Sequence, residues 1–220
     1  MSKYFICQLI ACVIAILAFI YGVVHLLKKK TPLYQRIIMW SVGCFLLYAI
    51  VSVVNSLLFP VKEIEINISY ISIFGCFLAL FSANYGGMDQ VVSDVPSGNK
   101  FPSIIALVID VLFISMLVAI YFVWKDIQFT TGICIIIAYF PILPAVYYNV
   151  KHLLLPVDEL EILKRNRGIN ILSILLYISF IFYAFVLAKS NALLSGICSI
   201  VSSCIIMGIV VLAKKGIYRW

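Results

Sequence analysis

The chain alternates long apolar runs with short polar connections, and this pattern indicates its fold class. A hydrocarbon core about 30 Å thick is crossed by roughly 20 helical residues, and apolar runs of this length recur along the chain. Because the runs are continuously apolar and lack a period of two, they favour helices over the strands of a membrane barrel. The predicted spans are about 4–27, 37–59, 68–84, 103–124, 131–150, 169–188 and 192–213.

These spans predict an all-α, polytopic membrane protein in which residues 1–220 form one seven-transmembrane-helix bundle. The composition agrees, since 65% hydrophobic and 11% charged residues leave too much apolar surface for one soluble core. The first run is too long for a signal-peptide core and is followed by Lys28, Lys29 and Lys30, so we expect a retained span. The lipid bilayer is therefore the first expected partner.

The distribution of basic residues predicts the orientation. If the amino terminus lies outside, twelve of the sixteen Lys and Arg residues fall in segments on the cytoplasmic side. Cytoplasmic loops collect Lys and Arg, so we predict an outside amino terminus, a cytoplasmic carboxy terminus and a location in the cell membrane. Most of the net charge of +7 then lies at the inner leaflet, where basic residues anchor the protein to anionic lipids. Nucleic acid is therefore not an expected partner.

Motifs of known catalytic chemistry do not occur in the sequence. There is no Gly-x-Ser-x-Gly, His-Glu-x-x-His or P-loop pattern, and the spans hold no paired carboxylates. The seven cysteines all fall in predicted spans without a Cys-x-x-Cys pair, which is typical of packing residues. We expect no enzymatic activity and no cofactor.

Two histidines, His25 and His152, lie near predicted cytoplasmic boundaries. Together with Asp89 they could bind a metal, but histidines in such positions are usually only interfacial. We therefore predict no metal site.

Small residues share one face in the first and last spans, at spacings of three and four. Such faces allow helix backbones to approach closely in lipid, where association depends on packing. We predict the tightest helix contacts there. The residues are Ala11, Ala15, Ala18 and Gly22 in the first span and Ser195, Ser199 and Ser203 in the last.

Two of the predicted connections contain recognisable sequence signals. The longest, 85–102, begins within the sequence FSANYGG (81–87) and contains turn signals at Gly86-Gly87 and at 96–99. The sequence is compatible with either a functional loop or a plain flexible linker at 85–102. Residues 156–168 predict a short interfacial helix that ends at Gly168 and either docks a partner or rests on headgroups.

Asp110 is the only acidic or basic residue well inside a predicted span. A carboxyl in such a place usually faces a cavity or a partner. An equally strong alternative is a structural role, in which the carboxyl is hydrogen-bonded to a neighbouring helix. Polar residues in hydrocarbon need partners, so the polar stripe of the second span should face the bundle interior. This stripe consists of Ser41, Tyr48, Ser52 and Asn55, and the sixth span has a shorter match in Asn170, Ser173 and Tyr177. Pro141 and Pro144 should kink or unwind the fifth span. The predicted ligand-binding candidates are Asp110, Asn84, Tyr85, Tyr48, Ser52, Asn55, Tyr147 and Tyr148.

The functional prediction is a non-enzymatic sensory or regulatory module. Its polar cavity should open toward the cytoplasm, take a small ligand, and act through a cytoplasmic or membrane protein partner. Two alternatives are a small-solute transporter that uses Asp110 and the proline-broken span, and a structural subunit of a membrane complex. A transporter should show internal symmetry between spans one to three and five to seven.

Overall fold

The computed structural model describes residues 3–27, 31, 33–58, 68–85, 101–123, 136–154, 161–188 and 191–215. Within these residues the chain forms seven helices, which confirms the predicted all-α fold. The helices are α1 (Lys3–Leu26), α2 (Leu33–Leu58), α3 (Ile68–Asn84), α4 (Phe101–Val123), α5 (Ile142–Leu154), α6 (Glu161–Ala188) and α7 (Ala192–Lys215). The turn signals at Gly86-Gly87 and 96–99, together with Asp89, lie outside the described residues.

Five helices, α1, α2, α4, α6 and α7, are long and apolar enough to cross a membrane. Helix α3 is apolar but shorter, and α5 has 13 residues. Large apolar side chains on the outer surface, such as Leu17, Ile104 and Phe182, are about half exposed. The chain is therefore a multi-pass membrane protein, and lipid contacts this surface.

Helices α1 and α7 run parallel and form the most extensive contact of the bundle. Near their beginnings Nε2 of Gln8 donates a hydrogen bond to Oγ of Ser199, at 3.0 Å. Near their ends Gly22 packs against the side chain of Val210.

The small-residue faces predicted for the first and last spans both take part in the α1–α7 contact, where Ser199 bonds to Gln8 and Gly22 packs on Val210. Ala15 and Ala18 are buried on α1, and a Cβ on Gly196 of α7 would lie 2.6 Å from Cβ of Cys7. Because Gly196 has no side chain, the α1 and α7 backbones can approach this closely.

Helix α2 lies antiparallel to α3. Oγ of Ser41 is 3.2 Å from Sγ of Cys76, and the neighbouring Gly75 packs against Cys44. Helix α3 therefore ends at the end of the bundle where α2 begins. That end, which contains His25, Asn84 and His152, is called the histidine end below.

Helix α6 begins at Glu161 and continues without a break to Ala188, so the predicted helix end at Gly168 is wrong. A Cβ on Gly168 would lie 2.7 Å from Cδ1 of Leu212 on α7. The glycine lets α6 and α7 pack closely and does not terminate the helix. The side chains of residues 161–165, and the whole of 155–160, lie outside the described residues.

The fifth predicted span is interrupted in the structure. Residues 136–139 are helical, the chain turns at 140–141, and α5 then begins. Pro141 lacks an N–H and cannot continue the hydrogen-bonding of the preceding turn. Pro144 lies in the first turn of α5, where a missing N–H is tolerated. Residues 131–135 lie outside the described residues.

Helix α4 packs on α5 and α6 and is the least buried of the five long helices. Ala106 and Phe113 are buried on its inner side, and Asp110 is half-buried near the same side. Most of the remaining surface of α4 is apolar and exposed.

Candidate functional site

One face of α6 carries four polar side chains in the interior of the bundle. They are spaced by four, three and four residues, which places them within one narrow face of a helix. Each is 1% exposed or less. From first to last the stripe extends about 16 Å along the helix axis, at about 1.5 Å per residue. The four are Asn166, Asn170, Ser173 and Tyr177.

Helices α3 and α5 bring two more amides to this stripe. Asn84, at the end of α3, and Asn149, on α5, are 3% and 0% exposed. Nδ2 of Asn84 donates a hydrogen bond to Oδ1 of Asn149. The hydroxyl of Tyr177 lies beside Asn149 and Ser173. Three helices thus converge on what we call the amide cluster: Asn84, Asn149, Asn166, Asn170, Ser173 and Tyr177.

The amide cluster contains more polar atoms than its own hydrogen bonds use. In the part of the chain that the structure describes, seven of its side-chain atoms make no hydrogen bond of normal geometry to protein, although the Tyr177 hydroxyl lies close enough to Asn149 and Ser173 to interact with both. A buried polar atom left unsatisfied costs about 1–3 kcal/mol, so native proteins nearly always supply a partner. The atoms are Asn84 Oδ1, Asn149 Nδ2, Asn166 Nδ2, Asn170 Nδ2 and Oδ1, Ser173 Oγ and Tyr177 Oη.

Three phenylalanines close the amide cluster on the side away from the histidine end. Phe77 and Phe180 meet edge to face with ring centroids 5.2 Å apart, and Phe45 meets Phe180 in the same way at 6.1 Å. All three are fully or almost fully buried. The ring of Tyr177 contacts Phe77 at 5.4 Å, so the cluster ends directly against this group. We call Phe45, Phe77 and Phe180 the aromatic partition.

A second, smaller polar group lies beyond the aromatic partition. Tyr48 contacts Phe180 at 5.5 Å, and its hydroxyl lies next to Ser52, Tyr183 and Ser199. Among the described residues that hydroxyl makes no hydrogen bond of normal geometry. We call these four residues, with Gln8, the Tyr48 patch. Two buried polar groups are therefore separated by one aromatic layer.

The predicted site residues fall into three places. Asn84 belongs to the amide cluster, and Tyr85, Tyr147 and Tyr148 lie beside it at the histidine end. Tyr85 is half exposed, and its ring is 5.2 Å from that of Tyr148. Tyr147 meets Tyr148 at the same distance.

The other predicted residues lie elsewhere in the bundle. Tyr48 and Ser52 belong to the Tyr48 patch, and Asn55 follows on the same helix with its Oδ1 buried. Asp110 lies on α4, which reaches the site through its packing on α5 and α6. Oδ1 of Asp110 is buried and makes no hydrogen bond within the described residues.

The sequence-based candidate set omits five of the six residues of the amide cluster. Asn170, Ser173 and Tyr177 show helical spacing, which is a usable signal. Asn166 continues this stripe, but an expected helix end at Gly168 separates it from the sixth span. The sequence does not single out Asn149 as a site residue, because its proximity to Asn84 depends on tertiary packing.

The histidines and cysteines do not assemble into a metal centre within the described residues. Nε2 of His25 lies 3.4 Å from Nζ of Lys214, whose ammonium also lies over the ring of Tyr21. His152 is fully buried on α5, near the ring of Tyr148. The six cysteines that the structure describes are free thiols.

No protein-family model matches the chain, and neither does any curated protein sequence or any solved structure. The fold and the site geometry therefore define the class, a multi-pass helical membrane protein with a buried polar interior.

Proposed function

We propose that this chain is a seven-span, non-enzymatic protein of the cell membrane that binds a small ligand at the amide cluster and works as a sensory or regulatory module. The observation that carries the proposal is the set of seven buried polar atoms that make no hydrogen bond of normal geometry to the described residues. Polar groups within a membrane bundle are expensive to bury and tend to mark functional sites. With the amino terminus outside, the cluster lies in the cytoplasmic half.

Helix α5 is the element best placed to transmit ligand binding. It supplies Asn149 to the cluster, contacts α3, α4 and α6, and is separated from 136–139 by the turn at Pro141. A ligand held between Asn149 and Asn170 would change the position of α5 relative to α6. The change would reach Tyr148 and His152 at the histidine end, where a cytoplasmic protein can detect it.

Photo-crosslinking in native membranes tests the signalling part of this proposal. Benzoyl-phenylalanine replaces the half-exposed Tyr85, and replaces Leu112, which is exposed on α4, as the control. We expect one discrete protein adduct at position 85 and lipid adducts at position 112. Asn170→Leu should change the yield of the position 85 adduct.

Two results would contradict the proposal. If both positions give lipid adducts alone, the protein has no partner at the histidine end. If Asn170→Leu leaves the yield at position 85 unchanged, the amide cluster does not control the partner, and a structural subunit becomes the better description.

A small-solute transporter is the second candidate, and two observations favour it. Helix α5 is preceded by a break at Pro141, and transporters build their sites from interrupted helices. The Tyr48 patch also provides polar groups beyond the aromatic partition. Solute flux into proteoliposomes distinguishes this candidate, since a sensory module carries none.

A further inference from the structure

The ends of α1 and α7 bring two basic side chains together at the histidine end. Nζ of Lys214, in the last turn of α7, lies 3.4 Å from Nε2 of His25, in the last turn of α1. The same ammonium lies over the ring of Tyr21, 5.1 Å from its centroid. All three side chains are half-buried where the two helices meet. We call Tyr21, His25 and Lys214 the basic groove.

The contacts of the Lys214 ammonium do not neutralise its charge. A lysine at a helix end often compensates the carbonyl groups there. At the end of α7 the fully buried Gln35 makes such a contact, because its Nε2 donates a hydrogen bond to the carbonyl oxygen of Ala213 at 2.9 Å. The ammonium of Lys214 instead meets an imidazole and an aromatic ring, and neither carries a negative charge.

The segments that form the basic groove contain no acidic residue. Residues 1–62 and 162–220, which include all of α1, α2 and α7, hold no Asp or Glu. In the sequence Lys28, Lys29 and Lys30 follow α1, and Lys215 follows Lys214. Two basic groups in contact repel each other when both are charged, so such a pair favours a nearby anion. The helices of the groove cannot supply this anion themselves.

The surface beside the basic groove is apolar. Leu17, Tyr21 and Val24 are spaced by four and three residues, so they share one face of α1. Leu17 and Val24 are more than half exposed. A basic group at the end of an apolar helix face matches a phospholipid, because the phosphate lies at the membrane surface and the acyl chains extend along the helix. A soluble anion would make no use of the apolar face.

We infer that the basic groove is a binding site for the headgroup of an anionic phospholipid. Lys214 makes the ionic contact with the phosphate, and His25 adds a hydrogen bond. The acyl chains lie against Leu17 and Val24. This inference is independent of the amide cluster, which is formed by α3, α5 and α6.

Native mass spectrometry of the full chain in detergent tests the inference. Phosphatidylglycerol, phosphatidylcholine and glycerol phosphate are added separately, and the dissociation constant of the first bound molecule is measured. We expect phosphatidylglycerol to bind more tightly than the other two. Lys214→Gln should weaken its binding about fivefold or more, which is the contribution of one basic residue near an anionic surface. Lys214→Arg keeps the charge and should retain binding.

Two further variants separate a defined site from general charge attraction. Lys151→Gln removes the same charge at the same end of the bundle, where the ammonium lies over Tyr148, and should weaken binding less than Lys214→Gln does. Tyr21→Leu leaves the net charge unchanged but removes the ring under the Lys214 ammonium, so it should also weaken binding. This variant tests the site even if Lys214→Gln does not fold.

Three results would overturn the inference. Equal losses in Lys214→Gln and Lys151→Gln, or unchanged binding in Tyr21→Leu, would show general attraction to a basic surface. Glycerol phosphate that binds as tightly as phosphatidylglycerol would identify a soluble anion as the ligand. Equal binding of phosphatidylglycerol and phosphatidylcholine would show that the groove does not select an anionic lipid. None of these results affects the proposal for the amide cluster.

Discussion

Asn84 at the end of α3 donates its side-chain hydrogen bond to Asn149 on α5, and Asn149 lies beside Tyr177 on α6. One amide pair therefore connects three helices that are far apart in the sequence. Each amide still has a second polar atom without a protein partner in the described part of the chain. The pair is at once a structural link and one wall of the amide cluster.

A double-mutant cycle measures the structural part of this link. Asn84→Ala should destabilise the protein by about 1–3 kcal/mol, because it leaves Oδ1 of Asn149 buried and unpaired. Asn149→Ala should have a similar effect, and the double variant should recover about 0.5–1.5 kcal/mol of coupling. Unfolding in detergent by urea gives these values. Strictly additive losses would show that the two side chains do not interact.

Two glycines should respond differently to the same added methyl group. Gly196→Ala places Cβ against Cβ of Cys7, which cannot move without the α1 backbone, so we expect a loss of about 1–3 kcal/mol. At Gly43 a new Cβ would lie 3.6 Å from Cε2 of Phe19, an ordinary contact. Gly43→Ala should therefore be neutral or slightly stabilising, by at most about 0.5–1 kcal/mol. Equal melting temperatures for both variants would contradict the close α1–α7 contact.

The helices could be predicted from the sequence because apolar run length is a local property. The first run, about 4–27, corresponds to Lys3–Leu26 in the structure, and the third, 68–84, to Ile68–Asn84. In lipid the backbone must satisfy its own hydrogen bonds, so a run of sufficient length becomes a helix whatever its neighbours are.

The amide cluster could be predicted only in part. Gly168 resembles a helix end in sequence, and its real role depends on Leu212, which lies on a different helix. Asn84 could be identified from the sequence because it ends an apolar run. Asn149 is recognised as a site residue only from its contacts with α3 and α6. Local patterns do not contain these distant contacts.

The orientation of the termini is a prediction from the twelve-to-four distribution of basic residues. Single cysteines replace Lys30, Lys62 or Arg165 in a background without the native cysteines, and intact cells are treated with an impermeant thiol reagent. We expect labelling at position 62 and none at 30 or 165. Labelling at 30 or 165 would reverse the assignment and place the amide cluster on the outer side.

Asp110 should affect ligand response more than folding. Its Oδ1 is buried without a protein partner among the described residues, so Asp110→Asn should leave the melting temperature nearly unchanged. A carboxyl near a bilayer centre costs about 2.5–3.5 kcal/mol on insertion scales, so Asp110→Leu should favour membrane insertion of α4. Both variants should change the yield of the position 85 adduct if α4 acts on the site through its packing on α5 and α6.

Ser115→Ala is the matched control for Asp110, because its hydroxyl is satisfied by the carbonyl oxygen of Leu112 on the same helix. A strong loss of stability in Asp110→Asn would show that the carboxyl is a packing element. An unchanged ligand response in both Asp110 variants would remove it from the site.

The aromatic partition distinguishes a sensory module from a transporter. Phe77 is fully buried and lies between Tyr177 and Phe180, with ring distances of 5.4 and 5.2 Å. Phe77→Ala should cost about 3–5 kcal/mol of stability and open a polar path between the amide cluster and the Tyr48 patch. Phe77→Leu opens the same layer partly, at a smaller cost in stability.

The expected measurement is entry of radiolabelled sorbitol into proteoliposomes. A sensory module should show no flux in the wild type and a slow leak in Phe77→Ala. Phe81→Ala is the control, because Phe81 stacks on Tyr85 at the histidine end and does not belong to the partition. Saturable wild-type flux would contradict the closed partition and identify the protein as a transporter. A Phe77→Ala protein that remains folded by circular dichroism but does not leak would show that the partition is not the layer that separates the two polar groups.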